Sequence, residues 1–332
     1  MVSRFVSEMT EGGTVRGTFV LRAKELRVAR TGDEYLRLEL CDRTGAVSGV
    51  LFRPSAHAVD VPTGSIVTAT GSVSVFRGER RVTLDSLAAA STWDPADFLA
   101  SSRRPVEAMI DELRGHVSSV KDKGLRGLLR RVFGDAGFFA AFTTCPGSQA
   151  HHHAHLGGLL EHTVAVAAMC DRAAGEYPGV ERDLLVSAAL LHDIGKVREL
   201  TYDTTIGFSD EGRLVGHVVI SDQMICEAAT RGGLDAQTLT RLRHAVISHH
   251  GELEWGSPKR PSTIEALVLH HVDNLDAKAS GFAELLSGAV GAQESWTDAG
   301  NLFRRPLYAP RPAEDDRPSA PREDDEAYRR TA

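Results

Sequence analysis

The stretch LLVSAALLHDIGK, residues 184–196, decides the fold of the larger part of the chain. Its apolar segment, residues 184–191, predicts a buried helix that ends near Gly195. The helix leads directly into an adjacent histidine and aspartate, His192 and Asp193. An imidazole and a carboxylate at the end of a buried helix indicate a site that binds a metal ion.

Further histidines and aspartates lie on both sides of this pair, about 20 to 35 residues apart, which corresponds to one helix and a connection each. The apolar residues around them recur at every third and fourth position, so this half of the chain is predicted to be all-helical. Such donors suit Mn, Fe, Co, Ni or Zn, and a carboxylate beside a histidine can bridge two ions. The predicted metal ligands are His162, His192, Asp193, His217, His249, His250 and Asp273.

Two parts of this set stay open. The sequence does not separate His249 from His250, so one or both are ligands. His270 and His271, next to Asp273, are expected to support a ligand or to pack.

Residues 1–92 show the alternation typical of half-buried strands, as in Leu36, Leu38 and Leu40. Gly71 interrupts the β-branched segment 66–76, where we expect a bulge. About five short strands fit a small barrel, and the turn DRTG (42–45) and the hairpin FRGERR (76–81) resemble an OB-fold.

An OB-fold binds single strands through a basic groove and aromatic platforms. Tyr35 and Arg37 share the strand face opposite Leu36, and Arg77 lies at the hairpin tip, so these three are predicted to contact nucleic acid. The neighbouring Phe76, Arg80 and Arg81 are further candidates. The alternatives are a solvated hairpin and a purely structural role in the core for Phe19, Phe52 and Phe76.

The composition limits the classes of function. The 332 residues carry 38 Lys and Arg against 45 Asp and Glu, a net charge of −7, which disfavours a simple nucleic-acid coat. Four scattered cysteines without a CxxC pair disfavour a disulfide framework and a thiolate zinc site. A signal peptide and a long apolar run are both missing, so we expect a cytoplasmic protein that does not interact with membranes.

The predicted organisation has four parts. Residues 1–92 form the barrel, residues 93–145 a linker with leading helices, and residues 146–300 the helical metal-binding domain. The linker is expected at SSRRP (101–105). Residues 301–332 are rich in proline and charge and are predicted to be a mostly disordered tail.

The motifs of the helical half carry a family resemblance. His162, the His192–Asp193 pair and Asp273 look like the signature of HD-domain phosphohydrolases. HHHAHLGGLLEHT (151–163), LLHDIGKVREL (190–200), GHVVIS (216–221), SHHGELEWGSPKRP (248–261) and LHHVDNLDAK (269–278), behind an OB-like domain, resemble the YhaM-type 3'→5' exoribonucleases. The resemblance implies a small all-β OB-fold barrel followed by an all-α HD-domain helical bundle.

The resemblance also implies residue roles. The predicted ligands fall on the family's metal positions, with His249 or His250 at one of them. Two divalent ions are expected, typically manganese, with Co, Fe, Ni or Zn as alternatives. Asp193 and Lys196 are the predicted catalytic residues, and Lys196 could reach a phosphate oxygen; its alternative role is a cation at a helix end. The predicted substrate contacts are His152, His153 and Lys259. The alternative for the two histidines is a surface loop without a function, and the alternative for Lys259 is a solvated side chain.

Three functions are therefore compared. The leading hypothesis is metal-dependent hydrolysis of single-stranded RNA, and of DNA as a further possibility, from the 3' end to nucleoside 5'-monophosphates. The second is an HD phosphohydrolase of a cyclic dinucleotide, a dNTP or an alarmone, although GELEWGSP lacks the GYP loop. The third is a single-strand-binding protein without catalysis. A homo-oligomer is compatible with each of them.

Overall fold

The computed structural model describes residues 2–29, 31–76, 79–150, 152–288 and 295–309. The chain divides into two compact units, residues 1–277 and 278–332. The first unit contains a β-barrel and, after it, a helical region. Within the described residues, no helix is both long enough and apolar enough to cross a lipid bilayer.

The barrel is built from the strands that the alternating pattern predicts. Its strands are β1 (Val2–Ser3), β2 (Thr14–Val28), β3 (Glu34–Asp42), β4 (Gly45–Phe52), β5 (Ile66–Phe76) and β6 (Glu79–Ala89). The sheet order is β1-β2-β3-β4-β6-β5, and β5 also pairs with β2. The strands β2 to β6 therefore close a five-stranded barrel, and β1 pairs with β2 outside this ring. A short helix, α1 (Ala56–Asp60), joins β4 to β5. This is the predicted OB-fold barrel.

The barrel interior follows from the period-2 alternation. The inward side chains of the strands form one apolar core, which includes Phe19, Leu21, Leu36 and Leu40. The predicted bulge is present, because the register between β5 and β6 shifts between Thr70 and Gly71. A Cβ atom at Gly71 would lie 2.3 Å from the carbonyl oxygen of Thr83, so only glycine fits this close approach.

The helical region has a second apolar core, which includes Phe142, Leu159, Leu160, Leu190 and Leu191. The helices are α2 (Val106–Ser119), α3 (Lys123–Phe133), α4 (Ala136–Thr144), α5 (Gly158–Glu176), α6 (Arg182–Leu191), α7 (Lys196–Glu199), α8 (Asp210–Leu214), α9 (His217–Ala229), α10 (Ala236–Ile247) and α11 (Ile264–Gly288). A two-stranded hairpin, β7 (Leu200–Tyr202) and β8 (Ile206–Phe208), follows α7. The predicted all-helical bundle is confirmed, with this hairpin as its one unexpected element among the described residues.

The second unit begins within α11. Phe282 on this helix packs against Phe303 with ring centroids 5.3 Å apart. Trp296 and Tyr308 form an isolated antiparallel bridge. Residues 301–309, the start of the tail that we predicted to be disordered, therefore carry defined contacts, and residues 310–332 lie outside the described part.

Candidate metal centre

The predicted ligands come from five helices or helix ends and meet at one place. His162 lies in the second turn of α5, and His192 and Asp193 directly follow α6. His217 is the first residue of α9, and Asp273 lies on α11. His249 and His250 come just after α10. The apolar faces of these helices form the core, so the polar side chains at their edges converge.

One group of donors surrounds His162. Its Nε2 atom lies 3.1 Å from His192 Nε2 and 3.1 Å from Asp273 Oδ1. Asp193 Oδ2 lies 3.6 Å from His162 Nε2 and 3.3 Å from His192 Nε2. His162, His192 and Asp193 are almost fully buried. Four potential ligands thus face a common point.

A second group lies on the other side of Asp193. His217 Nε2 is 3.3 Å from Asp193 Oδ1 and 3.3 Å from His250 Nε2. His249 Nε2 is 3.6 Å from the same carboxylate oxygen. The structure therefore brings both His249 and His250 to this group. The two oxygens of Asp193 face different donor groups, as a carboxylate that bridges two ions requires.

The outer nitrogen of each histidine is already hydrogen-bonded. Nδ1 of His192 and of His249 donates to the carbonyl oxygens of Ala189 and Val246, at 2.7 and 2.6 Å. Nδ1 of His250 donates to the carbonyl oxygen of Trp255 at 3.0 Å. Because the proton is on Nδ1, the Nε2 lone pair faces inward, as a metal ligand needs.

Carboxylates hold the other two histidines. His162 Nδ1 donates to Asp276 Oδ2 at 2.7 Å, and His217 Nδ1 donates to Glu199 Oε1 at 2.9 Å. Neither Asp276 nor Glu199 was among the site residues that the sequence predicts. Their signal was weak, because an acidic residue three positions after a ligand, or between two ligands, usually lies on a solvated face.

The donor set fits divalent ions. Asp193 Oδ1 is buried and, within the described residues, accepts no hydrogen bond. Two imidazole pairs also face each other through Nε2 atoms only 3.1 and 3.3 Å apart. Neutral lone pairs at this distance repel each other unless a cation or a proton lies between them. An ion in each donor group would satisfy the carboxylate oxygen and both imidazole pairs.

Burial and charge set the protonation of the centre. Burial lowers the pKa of His249 well below its usual value and lowers that of His250, so both imidazoles are neutral, as metal ligands need to be. Burial also acts to lower the pKa of His162, but hydrogen bonds to Asp273 and Asp276 outweigh it and raise the pKa to about 9. A metal ion bound at His162 would take the place of this proton.

Lys196 neutralises part of the carboxylate charge. Its Nζ lies 2.6 Å from Asp193 Oδ2 and donates to the carbonyl oxygen of Gly147 at 2.8 Å. Burial acts to lower its pKa, but the charge of Asp193 outweighs burial and raises it, so the lysine is a cation. Lysine has three N–H donors, so these two contacts leave a third N–H for another acceptor.

The other predicted substrate contacts are placed differently. His152 is half-buried, with its ring centroid 6.1 Å from that of His162, and burial lowers its pKa to about 4. His153 is buried and its Nε2 lies 3.0 Å from Asp276 Oδ2, the carboxylate oxygen that also contacts His162. Lys259 is exposed on the loop after His250. His270 is buried and donates to the carbonyl oxygen of His249, whereas His271 is exposed.

The barrel carries an aromatic pair on its surface. Tyr35 on β3 is the cross-strand partner of Phe52 on β4, and their ring centroids are 6.0 Å apart. Phe52 is 60% exposed, so it is not the core residue that we considered as an alternative, whereas Phe19 is fully buried. Arg37 is exposed on β3. The side chain of Phe76, Arg77 and residue 151 lie outside the described part.

Comparison with known proteins gives consistent matches. The HD domain family model matches residues 159–278. The chain is 33% identical over 256 residues to the 3'-5' exoribonuclease YhaM of Geobacillus sp. (strain WCH70), covering 76% of this chain and 78% of that protein. It is 31% identical over 271 residues to the protein of the same name from Bacillus subtilis (strain 168), covering 80% and 86%.

Among solved structures, the chain resembles the second OB-fold domain of replication protein A from Methanococcus maripaludis. The identity is 22%, the TM-score is 0.23, and the match covers 28% of this chain and 99% of that domain.

Proposed function

Since this chain belongs to the YhaM family of 3'-5' exoribonucleases, we propose that it hydrolyses single-stranded RNA from the 3' end and depends on divalent metal ions. It is a hydrolytic nuclease of the HD superfamily. The proposal covers the substrate, the direction of digestion, two ions with manganese as the typical metal, and the residues that act.

The single observation that carries this proposal is the position of Asp193. This buried carboxylate lies between two groups of histidines, and its oxygen Oδ1 lacks a hydrogen-bond partner within the described residues. Asp193 and the two histidine groups would hold two ions, which would supply an activated water and bind both ends of a phosphodiester. A site for hydrolysis of phosphate esters explains why so many histidines are buried together.

The proposed ligands divide into two sets. His162, His192, Asp273 and Asp193 Oδ2 would hold one ion; His217, His249, His250 and Asp193 Oδ1 would hold the other. Hydrolysis adds water across the terminal P–O3' bond. The phosphorus gains the water oxygen, the 3' oxygen of the shortened strand gains a proton, and a nucleoside 5'-monophosphate leaves.

The chain's own polar residues orient the reactants. Lys196, held by Asp193 and Gly147, would donate its third N–H to a phosphate oxygen and offset charge in the transition state. His152, neutral and beside His162, would contact the same phosphate. Lys259, on the exposed loop, would meet the next phosphate along the strand.

The barrel would guide the strand. Tyr35 and Phe52 offer adjacent aromatic surfaces, and the exposed Arg37 lies two residues from Tyr35 on the same strand face. Base stacking on such platforms tolerates any sequence, which suits an exonuclease that must process every base. The same surface would accept single-stranded DNA, so DNA is a second proposed substrate.

End-labelled RNA tests the proposal. With manganese, a 20-nucleotide RNA labelled at the 3' end should release labelled mononucleotide at once, and 5'-labelled RNA should shorten progressively. Asp193→Asn should abolish both, whereas Asp203→Asn, an exposed aspartate in the β7–β8 turn, should retain both. If the protein leaves RNA uncleaved but rapidly cleaves a cyclic dinucleotide or a dNTP, it is instead a phosphohydrolase of small nucleotides.

A further inference from the structure

The segment that leaves the barrel is fixed to it. Asp97, eight residues after the end of β6, is buried and accepts two hydrogen bonds from Arg4 Nη2, at 2.8 and 2.9 Å. Its carbonyl oxygen accepts from the backbone N–H of Arg43 at 2.9 Å, in the turn between β3 and β4. The chain at residue 97 is therefore hydrogen-bonded to the barrel at two places.

Three residues later the same segment pairs with the loop before α5. The N–H of Leu156 donates to the carbonyl oxygen of Ala100 at 2.8 Å, and the N–H of Ser102 donates to the carbonyl oxygen of Leu156 at 2.9 Å. The hydroxyl of Ser102 donates to Glu161 Oε2 at 2.6 Å. The predicted linker is thus hydrogen-bonded to the helical region at Leu156 and at Glu161, the residue directly before His162.

We call residues 146–157 the histidine loop; residue 151 lies outside the described part. On one side of this loop, His155 Nε2 lies 3.0 Å from Glu161 Oε2, the oxygen that Ser102 also contacts. On the other side, His153 Nε2 lies 3.0 Å from Asp276 Oδ2, which accepts from the ligand His162. The loop therefore joins the barrel segment to the carboxylate that orients a ligand.

The histidine loop has an unusual, hydrogen-bonded backbone conformation at His153. His153 has a positive φ of 57°, which non-glycine residues rarely adopt, and its carbonyl oxygen accepts from the N–H of Gly147 at 2.9 Å. The carbonyl oxygen of Gly147 in turn accepts from Lys196. A strained residue held by its neighbours at such a point suggests a functional constraint.

We propose that Ser102 and Glu161 are positioning residues that couple binding of RNA on the barrel to the alignment of His162. A strand that contacts both the barrel and the metal centre is then hydrolysed faster than a strand that occupies the metal centre alone. This inference rests on the proposed nuclease function. The exposed Arg103, directly after Ser102, gives such a strand a cation on the connecting segment. Ligand binding shifts a site only through contacts that differ between its states, and an RNA phosphate bound at Arg103 would supply such a contact.

The test compares two substrates. A 20-nucleotide RNA can span barrel and centre, and the dinucleotide pUpU fills the centre alone. In Ser102→Ala and Glu161→Gln, kcat for the 20-mer should fall about tenfold relative to the wild type, and KM should stay within about twofold of the wild-type value. A tenfold change lies within the usual range of coupling between two sites. Hydrolysis of pUpU should stay at the wild-type rate, and Ser102→Thr should restore the 20-mer rate.

Matched controls and a second readout separate coupling from a structural role. Ser118→Ala and Glu176→Gln, exposed helix residues, should match wild type on both substrates. With Co²⁺ as a spectroscopic probe, an uncleavable 20-mer should change the visible absorption of the wild type but not of Ser102→Ala.

Equal loss of kcat on both substrates, or no loss on either, would overturn the coupling while the nuclease function stands. A wild type that cleaves neither RNA would refute the nuclease function, and the coupling with it.

Discussion

Replacing Gly251, which is not a predicted metal ligand, with alanine should lower the stability of the protein and disturb His249 in the metal centre. Gly251 has φ of +81°, and a Cβ there would lie 2.2 Å from Cε1 of His270. Alanine in the left-handed region costs about 1–2 kcal/mol. Moving the buried His270 ring breaks its bond to the carbonyl oxygen of His249, and an unsatisfied buried group costs about 1–3 kcal/mol. The free energy of unfolding should therefore fall by about 2–5 kcal/mol.

The same loop contains the matched control. Gly256 has φ of +83°, and no heavy atom of the described residues lies within 4 Å of a Cβ built there. Gly256→Ala should therefore cost only the backbone contribution of about 1–2 kcal/mol. Thermal unfolding in EDTA and calorimetric Mn²⁺ titration measure both variants. Equal losses of stability and Mn²⁺ affinity would refute the argument that His270 holds His249 in place.

Three further predictions concern other parts of the chain. Asp276→Asn should weaken Mn²⁺ binding about 10- to 100-fold by calorimetry, because His162 loses its orienting carboxylate; unchanged affinity would contradict this. Phe52→Ala should weaken binding of a single-stranded 20-mer by about 1–3 kcal/mol in fluorescence anisotropy, without lowering Tm, since the ring is exposed. An unaltered Kd would remove Phe52 from the binding surface. Burial raises the pKa of the Cys145 thiol to about 12, so DTNB at pH 8 should label it only after unfolding; rapid labelling of the native protein would show that the chain directly before the histidine loop opens.

Much of the fold could be predicted, because burial leaves a periodic trace. Leu36, Leu38 and Leu40 alternate and are all buried in the barrel core. The apolar segment before His192 became α6, as expected from its composition. The ligand positions stood out because histidines are rare inside apolar helical surroundings.

The groups that orient the histidines of the site could not be predicted from the sequence pattern. The acceptors for His192, His249 and His250 are backbone carbonyl oxygens, which leave no signature in side-chain type. Asp276 resembles any acidic residue on an amphipathic helix until α5 and α11 are packed together. His153 points inward through an unusual backbone angle, which the run of neighbouring histidines does not reveal.

Anomalous diffraction from crystals grown with Mn²⁺ tests the central claim most directly, because it locates the ions against the Asp193 carboxylate. If Asp193 joins two ions, we expect two peaks per chain, about 3.5–4 Å apart, one beside Oδ2 and His162 and the other beside Oδ1 and His217. A single peak, or two peaks of which neither contacts Asp193, would contradict it.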